Sequence, residues 1–179
     1  MSEKKKKKRR AYLEDFTKDE KGKYTYTGKI YEYKGKEELK KIHTLATFLT
    51  AVIAVSIILA GLLPAKGITD TWYVVLPYLG AFTTAAIFAW KYGRYRFNAK
   101  ELREYVHEKT VKQFQIYTKI QLVFSALTAL GEVLYLLLNS AEGRMMESVT
   151  VVVCMGVSAL AAYIWILLER ELDWKVKEM

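Results

Sequence analysis

The sequence predicts an all-α integral membrane protein, an up-down bundle of four transmembrane helices with a small N-terminal cytoplasmic β-hairpin. The first reason is that charges are segregated along the 179 residues, so that three stretches contain none: residues 44–65, 71–90 and 148–168. Each is close to the roughly 20 residues with which a helix crosses about 30 Å of hydrocarbon. The second reason is that basic residues alternate in abundance between successive loops, as in multi-pass membrane proteins.

The apolar runs define a transmembrane domain of residues 43–168. We predict four spans, at residues 43–63, 71–90, 117–138 and 148–168. Only the third span contains charged residues, which are Glu132 and, at its inner end, Lys119. The two outer loops are about 7 to 9 residues long, and links this short favour antiparallel neighbouring helices.

The basic residues predict the orientation of the bundle. Fifteen Lys/Arg precede the first span, eight lie between Lys91 and Lys119, and three follow the fourth span. The outer loops contain one each, Lys66 and Arg144, so 26 of the 28 basic residues fall on one side. Basic loops stay in the cytoplasm. We therefore expect a cell-membrane protein with a cytoplasmic N-terminus and a cytoplasmic tail at 169–179.

The inner loop, residues 91–116, is predicted to be helical. Asn98 and Glu101 have the spacing of a capping box, and apolar residues recur at helical spacing from Leu102 onward. We interpret residues 99–138 as one long helix, or as an interfacial helix bent into the third span.

The N-terminal segment, residues 1–42, contains a predicted hairpin at 23–34. Tyrosines alternate with other residues on both sides of Gly28-Lys29, which has the sequence of a type II′ turn. This register pairs Tyr26 with Tyr31 and Tyr24 with Tyr33, so that all four tyrosines share one face. Because a two-stranded hairpin is marginal alone, we expect this face to lie at the lipid headgroups or to dock a protein partner.

A polybasic cluster precedes the hairpin. It consists of Lys4, Lys5, Lys6, Lys7, Lys8, Arg9 and Arg10. Anionic headgroups attract such clusters by about 1 kcal/mol per basic residue. Nucleic acid would also attract them, and tyrosines can stack on bases, but tethering beside an anionic leaflet favours lipid. A solvated tail that only determines topology is a further interpretation.

Glu132 is the candidate site residue, since a carboxylate in hydrocarbon is costly and usually functional. Tyr78 and Ser56 lie at a similar depth in their own spans, and Pro77 frees a backbone carbonyl one turn earlier. Two interpretations follow. Glu132, Tyr78 and Ser56 form a proton or cation site, or a neutral Glu132 hydrogen bonds to Tyr78 and serves packing.

The remaining residues give no sign of an enzyme. His43, His107 and the lone Cys154 do not have the spacing of a metal site, and the usual catalytic motifs are missing. We expect no cofactor and no metal. The preferred function is a non-catalytic accessory or scaffolding subunit, which binds a protein partner, a second copy or anionic lipid through the basic cytoplasmic face. The alternative is a small oligomeric proton- or cation-coupled transporter or channel that uses Glu132.

Overall fold

Helices make up most of the chain in this computed structural model, which describes residues 16–18, 23–33, 36–97, 102–104, 107, 110–139, 145–170 and 174–176. The helices are α1 (Lys36–Leu62), α2 (Lys66–Asp70), α3 (Trp72–Phe97), α4 (Val111–Leu138) and α5 (Met145–Arg170). The strands are β1 (Phe16–Lys18), β2 (Tyr24–Tyr26), β3 (Ile30–Tyr33), β4 (Leu102–Arg103) and β5 (Trp174–Val176).

Four of these helices, α1, α3, α4 and α5, are long and apolar enough to cross a membrane. Their apolar stretches are Lys40–Leu62, Trp72–Phe97, Gln113–Leu138 and Met145–Arg170. Each overlaps one predicted span, so the prediction of four long apolar helices is confirmed. Insertion into a membrane and the orientation of the termini stay predictions.

The four long helices form a closed ring. Each packs against its sequence neighbour, and α5 packs back on α1. The interior contains large buried side chains such as Ile53, Phe88, Met155 and Trp165. On the outside, large apolar side chains are exposed along all four helices. A soluble protein rarely exposes so much apolar surface, whereas lipid covers it without cost.

The link between α1 and α3 folds over one end of the bundle. Its five-residue helix α2 buries Gly67 and Ile68, so it lies against the ends of the long helices and does not extend into solvent. We call this the α2 end of the bundle.

Three segments that are distant in sequence meet in one sheet at the opposite end, which we call the sheet end. Strand β3 is central, with β4 on one side and β5 on the other, both antiparallel to it. Tyr31 is in register with Leu102 on one edge and with Val176 on the other. The N-terminal segment, the α3–α4 connection and the C-terminal segment therefore form one structural unit.

The predicted register of the tyrosine hairpin is wrong. An antiparallel N-terminal hairpin is present, but it joins β2 to β1, with Tyr26 opposite Phe16 and Tyr24 opposite Lys18. Strand β3 pairs instead with β4 and β5. This choice is favourable because a central strand satisfies its backbone groups on both edges, whereas an isolated two-stranded hairpin is marginal.

The prediction of one continuous helix over 99–138 is also wrong. Leu102 and Arg103 form β4, and α4 begins only at Val111. Leu102 is fully buried there, so tertiary packing overrides the helical spacing at Leu102 and Arg103, whereas Glu104 and His107 are helical. Residues 91–97 continue α3 and residues 111–116 open α4, while the proposed cap at Asn98 and Glu101 lies outside the described residues.

Candidate functional site

A row of polar side chains runs along the buried face of α4. The row, which we call the α4 polar stripe, consists of Thr118, Gln121, Ser125, Thr128 and Glu132, all essentially inaccessible to solvent. Their spacing of three and four residues keeps them on one face, over about 21 Å at 1.5 Å per residue. Buried polar groups normally have hydrogen-bond partners, so each member of the stripe is expected to have one.

The middle of the stripe is a hydrogen-bonded cluster between α4 and α5. Gln121 Nε2 donates to Ser125 Oγ at 3.0 Å, and the hydroxyls of Ser125 and Ser158 lie 3.1 Å apart. Ser158 also accepts from Gln121 Nε2 at 3.4 Å. Gln121 Oε1 has no partner within the described part of the chain. The cluster ties α4 to α5 at the centre of the bundle.

The two threonines of the stripe are satisfied within their own helix. Thr118 Oγ1 donates to the Phe114 carbonyl and Thr128 Oγ1 to the Phe124 carbonyl, both at 2.8 Å. Their hydroxyl protons are therefore committed to backbone oxygens one turn earlier, a common arrangement for threonine in a helix.

Glu132 ends the stripe near the α2 end and differs from its other members. It is 0% exposed, and neither carboxyl oxygen has a hydrogen-bond partner among the described residues. The Ser148 hydroxyl of α5 is next to the carboxyl, although the pair lacks hydrogen-bond geometry. From α2, the backbone of Gly67 lies directly against the carboxyl, where a β-carbon would overlap it.

The predicted partners of Glu132 do not join it. The Tyr78 hydroxyl donates to the Ile57 carbonyl of α1 at 3.1 Å and fits against Gly61. Ser56 is buried on α1, but no hydrogen bond connects it to the carboxyl. The hydrogen bond from Glu132 to Tyr78 in the packing interpretation is therefore absent within the described chain, and Ser148 and Gly67 are the neighbours that the sequence did not indicate.

The sheet end of the bundle contains an aromatic core with polar connections. Trp165 Nε1 donates to Thr50 Oγ1 at 3.1 Å, and the Tyr92 hydroxyl donates to the His43 carbonyl at 3.0 Å. Rings of Phe88, Tyr92 and Trp165 pack edge to face with centroids 5.5 to 5.8 Å apart. Such contacts position α1, α3 and α5 relative to one another.

The four tyrosines do not form one docking face. Tyr24 is 67% exposed on β2, and Tyr26 of the same strand is half-buried. Tyr31 belongs to β3, where its ring stacks on His107 at 4.2 Å between centroids. Tyr33 also lies on β3. These strands belong to two different sheets, so Tyr24 and Tyr26 are not cross-strand neighbours of Tyr31 and Tyr33.

The exposed surface at the sheet end is basic. Ten of its described Lys/Arg side chains are exposed: Lys18, Lys23, Lys29, Lys40, Lys41, Arg94, Arg96, Arg103, Lys119 and Arg170. Of the acidic side chains whose burial is described at this end, Glu104 is half-buried and Glu169 is buried. Glu32, Glu37 and Glu38 also belong to the strands and helices of this end by sequence. The Lys4–Arg10 cluster lies outside the described residues.

Besides Ser148 and Gly67, two further residues of these sites were missed by sequence reasoning. Gln121 was overlooked inside an apolar run, although the three- and four-residue spacing from Thr118 to Glu132 is visible in the sequence. Glu169 was assigned to the tail, yet it is buried beside Lys119 and the backbone of Gln115. No sequence signal would have distinguished this buried carboxyl from an exposed one.

Comparison with protein-family models, with curated proteins and with solved structures finds no match to this chain. The geometry of its own residues is therefore the basis for the functional proposals that follow.

Proposed function

We propose that the protein is a membrane-embedded, non-catalytic scaffolding subunit that binds anionic lipid headgroups through its sheet end. The observation that supports this function is the set of ten exposed Lys/Arg side chains at that end, where the Glu104 side chain is half-buried and the Glu169 side chain is buried. Each basic residue close to an anionic leaflet contributes about 1 kcal/mol of attraction. The summed attraction of several such residues exceeds that of a single basic residue at a headgroup.

The position of these cations favours lipid over other anionic ligands. Arg94 and Arg96 lie in the last turns of α3, next to the highly exposed Phe97. A basic and aromatic helix end is typical of a membrane interface. The cytoplasmic leaflet contains the anionic lipids, so this function also agrees with the predicted orientation.

A protein partner is the competing occupant of the same surface. Its support is weaker, because the predicted four-tyrosine face is divided between two sheets and, of the three tyrosines whose burial is described, only Tyr24 is strongly exposed. Docking at an interface usually requires a cluster of buried aromatic anchors. We therefore treat protein binding as an outcome that the lipid experiment distinguishes.

The test uses the full chain in a neutral detergent and counts bound lipids by native mass spectrometry. Phosphatidylserine should bind more tightly than phosphatidylcholine, and added salt should weaken the difference because it screens exposed charges. Lys41→Gln should reduce the affinity about fivefold, equivalent to about 1 kcal/mol. Lys66→Gln is the matched control, since Lys66 lies at the α2 end.

Three results would contradict the lipid function. Equal binding of the neutral lipid, binding that salt leaves unchanged, or equal losses in the Lys41 and Lys66 variants would each remove its basis. A protein that stays bound through purification, and that Tyr24→Ser releases while lipid binding persists, would favour the partner instead.

A further inference from the structure

The Glu132 carboxyl is enclosed without a hydrogen-bond partner, whereas the other members of the α4 polar stripe form hydrogen bonds. Burying an ionised carboxylate without a partner is far more costly than burying the neutral acid. The enclosed form described by this geometry is therefore the protonated acid. Ionisation would require water or a counter-charge to reach the carboxyl.

Along α4 and the facing side of α5, the described residues form no continuous polar connection from Glu132 to the sheet end. Between Glu132 and the Gln121 cluster, the stripe contains only Thr128, whose proton is committed to the Phe124 carbonyl. The facing side of α5 presents Val151 and Met155 there, both fully buried and apolar. This apolar layer separates Glu132 from the polar groups nearer the sheet end.

Glu132 lies much closer to the α2 end of the bundle than to the sheet end. Glu132 lies six residues before the end of α4 at Leu138, about 9 Å along the helix axis. Helix α2 covers this end, with Gly67 against the carboxyl and Ile68 buried. Displacement of this five-residue helix would expose the carboxyl to solvent while the long helices stay in place.

The surrounding charges do not provide a cation site. In the parts of the elements around Glu132 that lie nearest the α2 end, the ionisable residues are Lys66 and Asp70 in α2, Tyr73 and Tyr78 in α3, Tyr135 in α4, and Glu147 and Cys154 in α5. None of them hydrogen bonds to the carboxyl within the described chain. Hard cations need about six oxygen ligands, whereas a proton needs one oxygen.

We propose that Glu132 is a proton-binding site that exchanges protons with water only at the α2 end, and that α2 is its cover. The neutral acid lets α2 close over it. Loss of the proton leaves a charge that must be hydrated, so α2 moves away. This activity is independent of lipid binding at the sheet end, and it differs from proton transport because the apolar layer formed by Val151 and Met155 blocks passage through the bundle.

The first experiment labels the carboxyl of the full chain in nanodiscs with dicyclohexylcarbodiimide, which is apolar and reacts with protonated acids. The acid adds across one C=N bond and its acyl group then migrates to nitrogen, so the product mass equals acid plus reagent. Peptide mapping should find the adduct on Glu132, with labelling that slows as the medium becomes alkaline. Glu132→Gln should remove it.

Gly67→Ala should speed this labelling about tenfold, equivalent to about 1.4 kcal/mol of lost closing free energy. The added β-carbon cannot occupy the same space as the carboxyl, so the cover must shift. Gly156→Ala is the matched control, because a β-carbon at Gly156 has no atom within 4 Å. It should leave the labelling rate unchanged.

The second experiment follows hydrogen exchange of the α2 amides in the wild type and in Glu132→Gln at each pH. In alkaline medium, the α2 amides of the wild type should exchange about tenfold faster than those of the variant. The amides in the core of α5 should exchange at equal rates in the two proteins. A Glu132 that serves only packing would give equal pH profiles in both proteins, which would overturn the proposal.

Two further results would also overturn it. The first is a Glu132 that stays unlabelled in the wild type and in Gly67→Ala. The second is a proton flux across reconstituted vesicles that Glu132→Gln abolishes, because it would show that protons cross the apolar layer.

Discussion

The contact between α3 and α4 depends on Gly80, and replacing it by alanine gives a quantitative test of the packing. A β-carbon built on Gly80 lies 2.8 Å from two atoms of the Phe124 ring. Carbon atoms in favourable contact are about 3.5 to 4.0 Å apart, so the ring or the helix must move. Such overpacking costs about 1 to 3 kcal/mol.

A second glycine on the same helix isolates this packing cost. A β-carbon on Gly93 meets no atom within 4 Å, so Gly93→Ala should stabilise the protein by up to about 1 kcal/mol through helix propensity alone. Gly80→Ala gains the same propensity and loses the packing. We therefore expect the two variants to differ by about 1 to 3 kcal/mol, or roughly 2 to 12 °C in Tm.

The assay is reversible unfolding of both variants in mixed micelles, followed by circular dichroism. The double variant Gly80→Ala with Phe124→Leu should recover part of the loss, because a smaller side chain makes room for the new methyl group. If Gly80→Ala is as stable as Gly93→Ala, the close approach of α3 to the Phe124 ring is wrong.

Three further substitutions test contacts elsewhere. Gly61→Ala should destabilise the protein by about 1 to 3 kcal/mol because a β-carbon there overlaps the Tyr78 hydroxyl; Tyr78→Phe should restore part of the loss, and no recovery in unfolding titrations would contradict the contact. Trp165→Phe should cost about 0.6 to 1.7 kcal/mol through the lost bond to Thr50, whereas an unchanged unfolding midpoint would argue against that bond. Arg103→Ala should increase hydrogen exchange in the β1–β2 hairpin, since its guanidinium lies over two hairpin rings at 5.7 and 5.2 Å; equal exchange would rule out this anchoring.

Strand pairing was the part of the fold that local sequence reasoning placed wrongly. The alternation of residues 23–34 identified extended segments, and β2 and β3 are strands. Their partners were wrong because Phe16–Lys18 and Leu102–Arg103 are too short to give a period of their own. Alternation identifies a strand but not its partner, because the edge of any available strand can satisfy its backbone hydrogen bonds. Which strands pair is decided by contacts between residues that are distant in sequence, such as Tyr31 and Leu102.

The candidate site was predictable in part. Glu132 could be identified because a charge within a long apolar run is unusual whatever surrounds it. Its neighbours could not, since depth along a span does not determine which face of a helix a residue occupies. Tyr78 has the expected depth but points to Ile57 of α1, while Ser148 and Gly67 reach Glu132 from other elements.

The sequence by itself determined the four long apolar helices, because their length and composition are local properties of the chain. It also determined the strong concentration of basic residues outside them. Only the tertiary structure decided that three distant segments form one sheet, that Gln121 joins two serines across helices, and that α2 closes over an unpaired carboxyl. These features depend on which surfaces meet after the helices pack, and a one-dimensional pattern does not contain that information.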